Sequence, residues 1–349
     1  MKQFLSVSAF SETEKKSMEK WLYLLRRFGE GVFIVFCIVT VNFFLIRFMP
    51  GDPVRHILGE DEYFNLMSMD PDKIEEVRAD YGLDKSYPEQ YLAYLNKTIH
   101  LDFGNSYRTK NTVLSTIVFR AKWTMWLAIP TILISGILGA VSGLYCGRNQ
   151  DGKADGFFTT AGLVISTIPT NCLAILFLIL FAFKGGWFPI SGITKGGCVG
   201  LEKIFDIFRH MQLPLIIMIL YRTASNHLLM RSTAIQVNEG EYIGTAVSKG
   251  MTERRVRLCH MLKNTLCPYV TSLCMQFGNI LTGAMMVEIV FSWKGMGTLI
   301  YDSVTTKDFP MLQGCFLFIG VCVVVFNFLA DLICTMIDPR IKGGAGREV

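Results

Sequence analysis

The chain has 349 residues, 51% of them hydrophobic, and a formal net charge of +5. Its mean hydropathy of +0.38 is too high for a soluble protein of this length, which leaves a polytopic membrane protein. Six segments, at 28–48, 123–145, 157–183, 211–230, 269–291 and 311–337, are long enough to cross about 30 Å of hydrocarbon as helices. Six spans put both termini on one side.

Lysine and arginine decide which side. The N-terminal segment, 147–156, 231–268 and the C-terminal tail hold seventeen, whereas the opposite short loops at 184–210 and 292–310 hold six. By the positive-inside rule the termini are expected to be cytoplasmic. This bias accounts for most of the net charge, so no nucleic-acid partner is implied.

Taken in order, residues 1–27 form a polar extension ending in Trp21-Leu-Tyr-Leu-Leu-Arg-Arg27, suited to a cytoplasmic interface. The first span, 28–48, runs into Pro50-Gly-Asp-Pro53 and not into a small-residue cleavage site, so it reads as uncleaved. An extracytoplasmic segment, 49–122, follows, with twelve acidic and nine basic residues between Pro50 and Lys122. Asp70 and Pro71 open a helix carrying Ile74, Val77 and Tyr81 on one face, and Gly82 closes it. A second helix is expected from near Pro88.

Residues 123–338 form the five-helix remainder, with a cytoplasmic loop at 231–268, and 339–349 are a tail. Ser166-Thr-Ile-Pro169 predicts a kink in the third span. Charges at membrane depth are costly and mark a cavity or a partner. Arg222, Glu288 and Asp331 are therefore candidates for the translocation route or its gate; the alternative is ion pairing that only fixes packing, such as Arg222 with Asp331. His227 reads as a helix-packing histidine.

The charged interruption at 239–268 has its own organisation. Ile243, Ala246 and Val247 share one face of a short helix that Gly250 stops. Thr252 caps a second helix, with Glu253 at its positive end, and Pro268 suits the first turn of the next span.

The run Glu241-Tyr-Ile-Gly-Thr-Ala246, with Lys249-Gly250, Glu253-Arg254-Arg255 and Asn264-Thr-Leu-Cys-Pro268, resembles the coupling loop of binding-protein-dependent ABC importer permeases of the oligopeptide, dipeptide and nickel group. Met251 and Cys259 depart from the family's usual small or basic residues. Ile46-Arg-Phe-Met-Pro-Gly-Asp-Pro53 resembles the stretch after the first span in the first of that group's two permeases. Tyr81-Gly-Leu-Asp84, Gln90-Tyr-Leu92 and Asp102-Phe-Gly-Asn-Ser-Tyr107 resemble its external segment. Glu288-Ile-Val-Phe-Ser-Trp-Lys-Gly-Met-Gly-Thr298 and Asp338-Pro-Arg-Ile-Lys342 continue the likeness, with Lys294 where many members have proline.

The resemblance implies an all-α, six-helix type I importer permease. It also implies that Glu241, Tyr242, Thr245, Ala246, Lys249, Gly250, Glu253, Arg254 and Arg255 serve ATPase coupling. The implied partners are a homologous second permease, two ATP-binding subunits, an extracytoplasmic substrate-binding protein and the lipid bilayer of a prokaryotic plasma membrane.

No GxxxxGK[ST] phosphate loop occurs, and Gly295-x-Gly297 lacks the context of one, so ATP and magnesium are expected only in partner subunits. The ten cysteines form no CxxC pair, seven lie in or beside apolar segments, and Cys198 is placed outside; the five histidines show no metal-ligand spacing. Neither a metal site nor a catalytic constellation is expected. Peptides are the favoured substrate and a nickel chelate the alternative. A stand-alone secondary transporter would account for the spans but not for the charged loop.

Overall fold

The computed structural model describes residues 2–48, 52–58, 60–80, 82–197 and 199–337. Met49 to Gly51 of the Pro-Gly-Asp-Pro turn, Tyr81, Cys198 and the motif at 338–342 lie outside the described residues. Fifteen helices follow in order: α1 Lys2–Arg47, α2 Pro53–Leu58, α3 Glu60–Met69, α4 Pro71–Asp80, α5 Tyr87–Ile99, α6 Val113–Arg148, α7 Lys153–Thr167, α8 Thr170–Phe177, α9 Gly200–Asn238, α10 Glu241–Ser248, α11 Glu253–Arg255, α12 Leu262–Gly283, α13 Met285–Val290, α14 Met296–Thr305 and α15 Phe309–Ile337. The only other pairing among the described residues is an isolated bridge between Asn105 and Thr112.

All six apolar segments are helical. Among the described residues, α6, α9 and Phe309–Ile333 within α15 are long and apolar enough to cross a membrane, and α7 with α8 and its continuation adds a fourth if that bent pair is one span. At 36 and 39 residues, α6 and α9 extend about 54 and 58 Å, well beyond about 30 Å of hydrocarbon.

Two expectations about proline change. The third segment is broken, not kinked: α7 and the helix starting at Thr170 meet at 97°. Pro169 takes an extended ψ of 136° as the N-cap of α8, and the Ser166 and Thr167 hydroxyls turn back onto the carbonyls of Leu163 and Val164. A proline N-cap ends one helix and starts another, where an interior proline would only bend it. Pro268, by contrast, lies inside α12. From Glu253 the backbone runs through a π-helical turn, Val256–Met261, straight into α12, so no new helix begins at the proline. The fifth segment is interrupted instead at Ala284, between α12 and α13.

The centre of the bundle is the contact between α6 and α9, and glycine makes it possible. Gly139, Gly143 and Gly147 recur every fourth residue and so share one face of α6. A Cβ on Gly143 would stand 2.7 Å from the His227 carbonyl oxygen, and one on Gly147 would stand 2.6 Å from Ala234 Cβ; one on Gly139 would strike Asn226. With no side chain between them the two backbones meet directly, as in membrane helix pairs with small residues every four positions.

Outside the bundle, α2 to α5 build a small cap. Asp52 organises its start, accepting from the Val54 amide at 3.0 Å, the Tyr63 hydroxyl at 3.1 Å and Arg78 Nη2 at 3.1 Å. Helix α4 begins at Pro71 and Gly82 follows it with a φ of +63°, as its sequence requires. A capping box between Ser86 and Glu89 starts α5. The loop after α5 is tied to the beginning of α15, where Ser106 Oγ donates to the buried Asp308 at 2.5 Å and the Tyr107 amide does so at 3.2 Å.

Candidate functional site

Helix α10 lies against the end of the bundle through two side chains. Ile243 and Ala246 are 2% and 4% exposed and join Leu144, Met230, Ala234, Val256, Met261 and Tyr269 in one apolar cluster. Val247, expected on the same face, is 42% exposed. The buried stripe is narrow: Ile243 and Ala246, three residues apart, define it, and Val247 turns about 100° away from Ala246. Ala246 is therefore a docking residue of the loop and not part of its outer surface.

The other nominated residues, Glu241, Tyr242, Thr245, Lys249, Gly250, Glu253, Arg254 and Arg255, are all exposed. Tyr242 is braced by Asn264 Nδ2 at 3.3 Å, and its ring occupies the space beside Gly240, where a Cβ would lie 2.5 Å from Cε1. Gly250 ends the turn with a φ of +75°, a conformation costly for any residue with a Cβ. Among the described residues Lys249, Arg254 and Arg255 form no ion pair with an acidic side chain, and with the exposed Tyr242 they make this stretch of the loop basic and partly aromatic.

Glu253 behaves differently. Both of its carboxylate oxygens are taken by Arg148 at the end of α6, Nε at 2.9 Å and Nη2 at 2.8 Å, while Arg148 Nη1 reaches Asn238 Oδ1 at 2.7 Å. The guanidinium holds the Glu253 carboxyl below the usual glutamate range. One turn on, Arg257 stacks over the Tyr145 ring at 5.1 Å. Close by, Arg231 of α9 grips the buried Asp155 of α7 through two bonds, at 2.5 and 2.7 Å.

The three candidate route charges have separate environments. Glu288 is completely buried. It accepts from Thr124 Oγ1 at 2.6 Å and from the amides of Gly297 and Thr298 at 2.7 and 3.2 Å, while Thr124 Oγ1 accepts from the Met296 amide at 2.7 Å. These amides open α14, whose N-cap is Gly295 and has no side chain to offer. Glu288 supplies the missing cap from another element, so its surroundings are those of a brace and not of a cavity wall. Trp293 completes the brace, fully buried and donating to the Trp123 carbonyl at 3.0 Å. Asp331 pairs with Arg27 of α1 at 3.3 Å, and not with Arg222 as the packing alternative had it. Arg222 is half-buried and forms no ion pair or hydrogen bond with another described side chain.

Beside Arg222 on α9, Asn226 and Gln276 of α12 form a buried chain with Ser135 of α6: Gln276 Nε2 to Asn226 Oδ1 at 2.6 Å, Asn226 Nδ2 to Ser135 Oγ at 3.2 Å. Tyr269 adds a bond from its hydroxyl to the Gly136 carbonyl at 2.7 Å. His227 is buried against Ser142 and the Phe158 ring, consistent with a packing role.

Residues 137–343 match the family described as binding-protein-dependent transport system inner membrane component, and residues 20–128 match the N-terminal membrane component of the same systems. The chain belongs to this permease family. A putative peptide permease protein of Brucella ovis is 32% identical over 322 residues, covering 92% of this chain and 98% of the relative. The dipeptide transport system permease protein DppB of Lactococcus lactis is 29% identical, covering 92% and 99%. The di/tripeptide transport system permease protein DppB of Pseudomonas aeruginosa is 28% identical, covering 92% and 98%. The permease is thus a membrane component that works with a binding protein and ATPase subunits, and its fold is the all-helical type I importer fold.

Several residues that shape the permease's site were not singled out from sequence. Arg148, Asn238, Asp155, Arg231 and Thr124 lie far along the chain from their partners, and a charge or hydroxyl at a helix end carries no mark of what it will meet. The glycine stripe did have a signal, its four-residue spacing inside an apolar helix.

Proposed function

We infer that the permease is the first of two membrane subunits of an ATP-driven importer of short peptides. The observation that carries this reading is α10 with the turn at Gly250: an apolar anchor on one side, and on the other an exposed basic and aromatic surface suited to insertion into a separate subunit. The names of relatives matching nearly their whole length support peptides as the cargo. The assembly comprises this chain, a homologous second permease, two ATPases on the cytoplasmic side and an external binding protein. Nucleotide-driven closure of the ATPases moves the loop, and the helices answer by alternating access.

Within this assembly Tyr242, Thr245, Lys249, Gly250, Arg254 and Arg255 face the ATPase, and Glu241 sits at the first turn of α10. Arg222 is the route candidate whose charge is left unpaired among the described residues. ATP and magnesium belong to the ATPases, and both termini are cytoplasmic.

Purification of the tagged complex from its own membrane, followed by reconstitution in liposomes with the binding protein, tests the reading. ATP-dependent uptake of labelled di- or oligopeptides is the expected result, with two ATPases and a second permease copurifying. Nickel uptake without peptide uptake would overturn the cargo assignment. Transport by this chain alone without ATP would overturn the importer reading itself.

A further inference from the structure

The turn at Gly250 is a hinge between two anchored pieces. Before it, α10 is fixed by Ile243 and Ala246. After it, Met251 bonds back to the Ala246 carbonyl at 3.3 Å, and the first side-chain tie to the bundle is Glu253, three residues on, held by Nε and Nη2 of the Arg148 fork. Arg148 closes a triangle by bonding Asn238 at the end of α9. One guanidinium therefore links the apex of the loop to the two helices that form the centre of the bundle.

The exposure of the pair is uneven: the Arg148 side chain is 17% exposed and the Glu253 side chain 59%. A carboxylate so open to water adds little to stability. What a bidentate fork adds is direction, since two parallel N–H···O bonds fix the plane and angle of the carboxylate. Arg257 against Tyr145 holds the same two elements together one turn further on.

We propose that Arg148 is a positioning residue for energy coupling: its fork on Glu253, steadied by Asn238, makes the loop apex and α6 move as one body, so that a displacement imposed on the apex reaches the membrane helices and is not absorbed at the Gly250 hinge. Glu253 on this account faces inward to its own chain and is not an ATPase contact. The proposal rests on the coupling role given to the loop above.

The test uses the complete reconstituted complex and the variants Arg148→Gln, Glu253→Gln, Arg148→Lys and the exchange Arg148→Glu with Glu253→Arg. Two quantities are measured: peptide moved per ATP hydrolysed, and the distance distribution between spin labels at the exposed Thr252 and Gln150 in the assembled complex. Either single glutamine variant should cut peptide moved per ATP by roughly tenfold and broaden the distance distribution. Arg148→Lys, which keeps charge but not the fork, should fall between these and the parent. The exchange should restore both quantities, Asn238 offering its amide N–H to the new carboxylate. Loss of coupling in Glu253→Gln but not in Arg148→Gln would make Glu253 an ATPase contact and overturn the proposal. So would an exchange variant as uncoupled as the singles, or single variants whose distance distribution stays narrow. Failure of the parent complex to take up peptide would instead count against the importer reading, and the distance measurement would still report on the fork.

Discussion

Thr124 donates to Glu288 at 2.6 Å and accepts from the Met296 amide at 2.7 Å, so one hydroxyl joins α6, α13 and α14 in a space without water access. Replacing Glu288 with Ala strips the cap from α14 and orphans the Thr124 hydroxyl and the Gly297 amide. Each buried group left unpaired costs about 1–3 kcal/mol, so a pronounced fall in the unfolding temperature of the detergent-solubilised complex is expected. A fully stable Glu288→Ala complex with altered transport alone would return Glu288 to the route.

Arg222 should respond in the opposite manner. It has no ion pair among the described residues, so Arg222→Ala should leave assembly and thermal stability near the parent's while lowering the rate of peptide uptake. Copurification of the partner subunits and initial uptake rates, measured on one preparation, separate the two effects. Normal assembly with unchanged uptake would remove Arg222 from the route.

The buried pair Asp155 and Arg231 predicts a non-additive cycle. Asp155→Asn leaves a partly buried guanidinium without its counter-charge, and Arg231→Gln leaves a buried carboxylate without its own. Each single change is expected to cost about 3 kcal/mol, and the double change less than the sum of the two. Thermal unfolding of the four proteins measures the coupling.

At the glycine seam, Gly143→Ala places a methyl group against the His227 carbonyl and Met230, which are backbone and Cβ atoms that cannot swing aside. A cost of about 1–3 kcal/mol from overpacking is expected. Gly156→Ala, where nothing lies within 4 Å of the added carbon, should be tolerated. Equal stability of the two variants would show that α6 and α9 are less closely held than their backbones indicate.

The Glu253 carboxyl lies below its ordinary range because Arg148 donates to it. A lowered acid value stabilises the folded arrangement fully above the unfolded value, and the contribution is lost as pH falls through the folded one. The distance between labels at Thr252 and Gln150 should therefore be insensitive to pH from neutrality down to the ordinary glutamate range, and should broaden only below it. Broadening already near neutrality would show that the pair does not hold the loop.

Much of the architecture was legible because membrane insertion imposes strong local rules. Apolar length marked the helical segments, Gly82 and Gly250 stopped helices where a left-handed residue was needed, and Pro88 marked a helix start that the structure places at Tyr87. Local pattern failed where a choice depended on distant neighbours. Pro169 could either bend a helix or end it, and Pro268 could either begin one or sit within it. Val247 had the spacing of a buried residue but found no surface to cover it.

Composition and apolar segment length were enough to establish a polytopic membrane protein with a charged loop, since these depend on local solvation and backbone propensity alone, and the likeness of the Glu241 to Arg255 motif to the family's added the permease. The tertiary structure decided how its charges are spent: Glu288 on the amides of α14, Asp331 on Arg27, Glu253 on Arg148, and Arg222 on no partner among the described residues. An ion pair or a cap is set by which helices become neighbours and at what height. That follows from packing over the whole bundle, above all the glycine contact between α6 and α9, and no residue's near sequence records it.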